Sequence, residues 1–107
     1  MDTVKQVQNK EEILMRLQNQ KETLGSYGVA EIGLFGSFVR SEQTSESDID
    51  LLVKFDKGKK TFRSFMQLAQ HIEAIMGRKV EMVTSESLSP YIAPHIQSEI
   101  EYVQINH

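Results

Sequence analysis

A chain of 107 residues with 39% apolar and 25% charged residues, two prolines and a formal charge of −3 has the composition of one globular domain, not of a disordered or fibrous chain. The absence of cysteine excludes a disulfide framework and a thiolate metal site, and it fits a reducing cytoplasm. The mildly acidic balance argues against tight, non-specific binding of nucleic acid, which depends on neutralising phosphates, and leaves protein or nucleotide partners as the better fit.

Residues 1–6 are polar, with no apolar core of a secretion signal behind them. The longest apolar runs, at 32–35 and 49–53, are far too short to span a bilayer. A single domain over 1–107, cytoplasmic and without a membrane partner, is therefore expected. Val4, Val7, Leu14 and Leu17 stand at helical spacing among polar residues and predict an amphipathic helix over 2–24, closed by Gly25 and Gly28. Residues 30–35 predict a buried strand. Gly36 and Ser37 break it and open a short predicted helix through Phe38, Val39 and Arg40. A polar loop follows over 41–47, then the strongest predicted strand at 48–55 and a charged turn around Gly58. Phe62, Phe65, Met66, Ala69, Ile72 and Met76 mark a second amphipathic helix, ended by Gly77. A third strand over 79–83, a loop over 85–90 and a last short helix over 91–100, with Ile92, Ile96 and Ile100 on one face, complete the pattern. Met66, Met76, Met82 and the phenylalanines of the second helix are expected in the core. The order is that of an α/β (mixed α+β) domain, a small mixed sheet flanked by helices.

The chemistry centres on Asp48-Ile49-Asp50. On a strand, residues i and i+2 share a face, so the two carboxylates project together while Ile49 points the other way. Like charges on one face of an apolar strand repel, and burying either is costly unless something cationic offsets it. Hard divalent ions such as Mg²⁺ take such oxygen ligands together with substrate phosphates. An Asp-x-Asp alone more often marks a solvated strand start, and Gly-Ser alone more often ends a strand. Their order supplies the meaning. Gly36 lets backbone approach a ligand closely, N–H groups after it form an anion site, and Ser37 adds a hydroxyl donor, all just before the paired aspartates.

The run Gly36-Ser37-Phe38-Val39-Arg40, a polar insert, then Ser47-Asp48-Ile49-Asp50-Leu51-Leu52-Val53 resembles the signature of the DNA polymerase beta-like nucleotidyltransferase superfamily. The short length and the arginine three places after the serine resemble its minimal nucleotidyltransferase (MNT) family, and residues 90–100 are similar to the end of such proteins. The resemblance implies the polymerase beta-like palm fold. It also implies metal-dependent transfer of a nucleoside monophosphate from a nucleoside triphosphate, ATP by family default, with two Mg²⁺ ions able to clamp the attacking and leaving oxygens. Carried over, Gly36 and Ser37 hold the triphosphate, and Asp48 and Asp50 bind metal. Glu81, within Arg78-Lys79-Val80-Glu81-Met82-Val83, stands where the family usually has an aspartate. It is expected as the third catalytic and metal-binding carboxylate, against the alternative of a strand-edge surface acid. Arg40 is expected to meet the triphosphate or to pair with a motif aspartate, against a solvated helix-end arginine.

Small members of the family commonly act as antitoxins beside a HEPN-type toxin, often an RNase. The resemblance implies a type VII-like HEPN/MNT module in which the MNT protein adenylylates a tyrosine of the toxin and silences it, with no direct nucleic-acid partner. Two other functions stay open: a non-catalytic antitoxin that masks the toxin by binding it, and nucleotide transfer to a small-molecule acceptor. His71, His95 and His107 lack zinc-ligand spacing. Lys57, Lys59, Lys60 and Arg63 read as a solvated turn and helix start, with a partner contact as the lesser alternative. Lys54 shares the carboxylate face but lies beyond the metal site.

Overall fold

The computed structural model describes residues 5–105. Four helices, α1 (Lys10–Asn19), α2 (Lys21–Gly25), α3 (Phe62–Met76) and α4 (Ala93–Glu99), accompany four strands, β1 (Val29–Phe35), β2 (Ile49–Phe55), β3 (Val80–Thr84) and β4 (Glu101–Gln104). The strands form one mixed sheet in the order β3-β2-β1-β4. β1 runs antiparallel to both β2 and β4, while β2 and β3 are parallel. Parallel neighbours need a crossover, and α3 supplies it.

The ladder sorts side chains into two faces. Ile32 pairs with Val53, Leu34 with Leu51 and Ile49 with Val80, and all six are buried. With Ile13 and Leu17 of α1, Leu24 of α2 and Leu68, Ile72 and Met76 of α3 they make the core. The opposite face carries Gly33, Phe35, Asp50, Leu52 and Glu81, because Phe35 pairs with Asp50 and Asp50 with Glu81. On that face Ile100 and Tyr102 press against Gly33, where an added Cβ would come within 2.3 Å of Ile100 Cδ1.

α3 begins and ends as its sequence predicts. Thr61 and Ser64 form a reciprocal capping box, and Gly77 closes the helix at φ 67°, a left-handed conformation that glycine adopts without strain. The N-terminal prediction needs correction. Asn9 is extended and its side chain accepts the N–H of Glu12 at 3.0 Å, so the helix starts at Lys10. Before it, Val7 is fully buried from an irregular segment whose N–H donates to the Met76 carbonyl at 3.0 Å. Its apolar character serves tertiary packing, not a helical stripe; Val4 lies outside the described residues. The helix expected after Ser37 is instead a set of turns in which the Gly36 carbonyl accepts from Val39 and Arg40 at 3.1 and 3.3 Å. The last helix is shorter than expected, and Glu101 opens a fourth strand. Phe62 is 82% exposed and Met66 41% exposed; both fall outside the core expected of them, since they stand off the stripe of Leu68, Ile72 and Met76 that α3 buries. No helix is long and apolar enough to cross a membrane among the described residues.

Candidate active site

Asp50 is the second residue of β2, and Asp48 lies two positions before it in the segment that enters the strand. Ile49 points into the core with no exposure, which sends Asp50 to the opposite face. Glu81, in register with Asp50 on β3, shares that face and is exposed. Burial first, then the charges of Glu81 and Asp48, push the Asp50 carboxyl up from 3.8 to about 6, against the opposing charge of Arg40. Asp50 thus senses both of its acidic neighbours. The three carboxylates do not close into a cage, for among the described residues no group of three or more His, Asp or Glu side chains converges enough to hold an ion unaided.

Gly36 follows β1 directly and sits over Asp50. Its φ is 84°, and a Cβ there would lie 2.2 Å from Asp50 Oδ2, so both conformation and contact demand glycine. The turn after it brings Ser37 alongside. Among the described residues no protein group takes the Ser37 hydroxyl, while its carbonyl accepts the Glu42 N–H at 2.9 Å. Arg40 pairs with neither motif aspartate, one of its two expected roles. Its Nε donates to Glu42 at 2.9 Å and its Nη1 to Glu99 at 2.8 Å.

Two residues that the motif does not flag hold this arrangement. Glu99, at the end of α4, accepts the Gly36 N–H at 2.7 Å besides the Arg40 contact, and its hydrogen bonds and the Arg40 charge keep its carboxyl below the usual range despite desolvation. Arg78 is buried at 7% exposure. Its guanidinium donates to the carbonyls of Ser47 at 2.9 Å, Ser45 at 3.2 Å and Thr44 at 3.3 Å, and to Val7 at 2.9 Å. Its centre stands 5.1 Å from the Phe38 ring centroid. One cation therefore ties the loop that delivers Asp48 to the turn that follows Gly36. Only a guanidinium has enough fixed donors for four carbonyls. An arginine beside a strand start, with Lys79 as a more solvent-suited neighbour, was the signal available in the sequence.

A nucleotidyltransferase domain model matches residues 14–103, which takes in the turn, the paired aspartates and Glu81. The chain belongs to the nucleotidyltransferase domain family. Among relatives of this nucleotidyltransferase, a Methanocaldococcus jannaschii protein described as a candidate protein adenylyltransferase is 40% identical over 95 residues, 86% of this chain and 95% of its own. The protein adenylyltransferase MntA of Thermococcus cleftensis is 39% identical over 85 residues, 79% of this chain and 85% of its own. A solved structure described as a candidate minimal nucleotidyltransferase matches with TM-score 0.67 and 29% identity over 82% of this chain and 93% of that one. A chain from the complex of tri-AMPylated Shewanella oneidensis HEPN toxin with MNT antitoxin matches with TM-score 0.53 and 19% identity, over 79% and 69%, a likeness of fold. The family and the fold class expected from the sequence both hold, as does nucleotidyl transfer as the activity.

Proposed function

We propose that this nucleotidyltransferase is a cytoplasmic antitoxin, a single domain over 1–107. It transfers AMP from ATP to a tyrosine hydroxyl of a partner HEPN-type toxin and so inactivates it. The observation that carries this is the register of Asp50 with Glu81 on the sheet face opposite the core, with the charge of Asp48 bearing on Asp50 and Gly36 seated over it. The adenylyltransferase names of the relatives and the AMPylated toxin in the solved complex support the acceptor and the nucleotide.

In this reading Asp48, Asp50 and Glu81 would hold Mg²⁺. The fit rests on chemistry: in an all-oxygen donor set, burial and then the charges of Glu81 and Asp48 raise Asp50, and a hard divalent cation would offset both costs. When bound, the ion supplies charge neutralisation for the phosphoryl oxygens. The chain's own part is positioning. Gly36 allows close backbone approach, the Ser37 hydroxyl donates to a phosphate oxygen, and Arg40 offers a guanidinium to the same polyanion. The tyrosine oxygen bonds to the α-phosphorus, the bond to the bridging α–β oxygen breaks, and pyrophosphate departs. In this reading the tyrosine proton leaves through Glu81, the exposed carboxylate in register with Asp50.

The test is to incubate the chain with a HEPN-type partner, ATP and Mg²⁺ and weigh the partner by mass spectrometry. Added AMP mass is expected, and the Asp48→Asn/Asp50→Asn double variant should add none. Modification that persists in the double variant would remove the metal-site assignment. A double variant that neither modifies the partner nor loses protection of cells would instead favour masking by binding.

A further inference from the structure

Glu99 lies outside the motif residues, yet its carboxylate is where the two ends of the turn meet. Gly36, opening the turn, gives its N–H to Oε2 at 2.7 Å. Arg40, closing it, gives Nη1 to Oε1 at 2.8 Å and to Oε2 at 3.1 Å. Glu42 takes Nε at 2.9 Å. Two of the three guanidinium nitrogens are thus held by carboxylates, and among the described residues no protein group takes Nη2.

We infer that Glu99 is a positioning residue of the nucleotide site, locking the Gly36–Arg40 turn to α4 and leaving the Nη2 edge of Arg40 for the triphosphate. The inference rests on the reading of Gly36, Ser37 and Arg40 as triphosphate contacts. An arginine side chain has much rotamer freedom to lose on meeting a ligand. One already held along an edge has less to lose, and the gain passes to ligand affinity. The Glu99 side chain is 21% exposed, against 65% for Glu42, so Glu99 is the more fixed of the two anchors. Its negative charge does not act as a rival phosphate, because the Gly36 N–H and Arg40 already offset it.

The probe is Mg²⁺ with AMP-PNP, titrated by calorimetry into the wild type and into the Glu99→Gln, Arg40→Ala and double variants, with a melting curve for each. Glutamine keeps an acceptor for the Gly36 N–H but gives up the charged two-point contact. Binding to Glu99→Gln is expected to weaken about ten-fold, the scale of one charge-assisted contact, with the melting temperature nearly unchanged. Arg40→Ala should weaken binding at least as much, and the double variant no further than Arg40→Ala. Arg40→Lys, which keeps the charge without a second edge, should match Glu99→Gln and serves if that variant does not fold. Binding to Glu99→Gln as tight as wild type overturns the inference alone if Arg40→Ala still weakens it. Tighter binding also overturns it, showing that the carboxylate competes with phosphate. Losses that add in the double variant overturn it as well. Unchanged binding by Arg40→Ala overturns both the inference and the reading of Arg40 as a triphosphate contact.

Discussion

Asp50 and Glu81 stand in register on neighbouring parallel strands, on the same face of the sheet. Their closeness is one reason the Asp50 carboxyl titrates at about 6 instead of 3.8. The folded chain holds that proton more tightly than the unfolded chain does, so its stabilising effect is complete below about pH 4 and is lost as pH rises through about 6. Above that range the ionised group is a constant cost, of order 1 kcal/mol once partial solvent exposure screens it.

In the ion-free protein, Asp50→Asn should therefore raise the melting temperature at pH 7.5 by a few degrees and leave it unchanged near pH 4. Thermal melts in chelator at the two pH values check this. A stabilisation of equal size at both would assign the effect to something other than charge.

Glu81 is exposed, so its replacement should touch chemistry more than folding. Glu81→Gln is expected to lower the rate of AMP transfer by about 100-fold, the scale of losing one charged group at a reacting centre, with a urea midpoint close to wild type. Glu81→Asp, which restores the family's usual residue on a shorter side chain, should retain more activity than Glu81→Gln. Equal activity of Glu81→Gln and wild type would return this residue to the class of strand-edge surface acids.

Gly36→Ala meets two obstacles, a φ of 84° and an Asp50 oxygen 2.2 Å from the new Cβ. A destabilisation of about 2–4 kcal/mol is expected in equilibrium urea unfolding. The Asp50→Asn background should relieve little of it, because an amide of the same size fills the same space.

Arg78→Ala removes a buried donor from four carbonyls and should cost about 3–4 kcal/mol. Arg78→Lys should recover only part of this, since an ammonium lacks the planar fork and stacks less well on Phe38. Amide exchange over residues 44–48 measures the local consequence and should speed up in both variants.

Phe62 is 82% exposed, so Phe62→Ser should change stability by less than about 0.5 kcal/mol. A large loss in chemical denaturation would restore Phe62 to the core where its helical spacing had placed it.

Local chemistry alone determined much of this protein. Alternating or continuous apolar residues set β1 and β2, the Thr61 cap and Gly77 stop bounded α3, and Ile49, drawn into the core, turned Asp50 to the opposite face. The alternation of Val103 and Ile105 with polar neighbours was also a strand signal, though it followed the predicted last helix too closely to be separated from it. Tertiary structure decided the rest. Val7 looked helical because its burial against α3 uses the same apolar residue that an amphipathic stripe would. Whether Glu81 met Asp50 depended on the β2–β3 register, which the α3 crossover sets and no short window contains. The contact between Arg40 and Glu99 joins residues 59 positions apart, and the four carbonyls around Arg78 come from segments 31 to 71 positions away. Periodicity and spacing report what a residue does to its own element. The partners of an ion pair or a buried cation are chosen only when those elements pack.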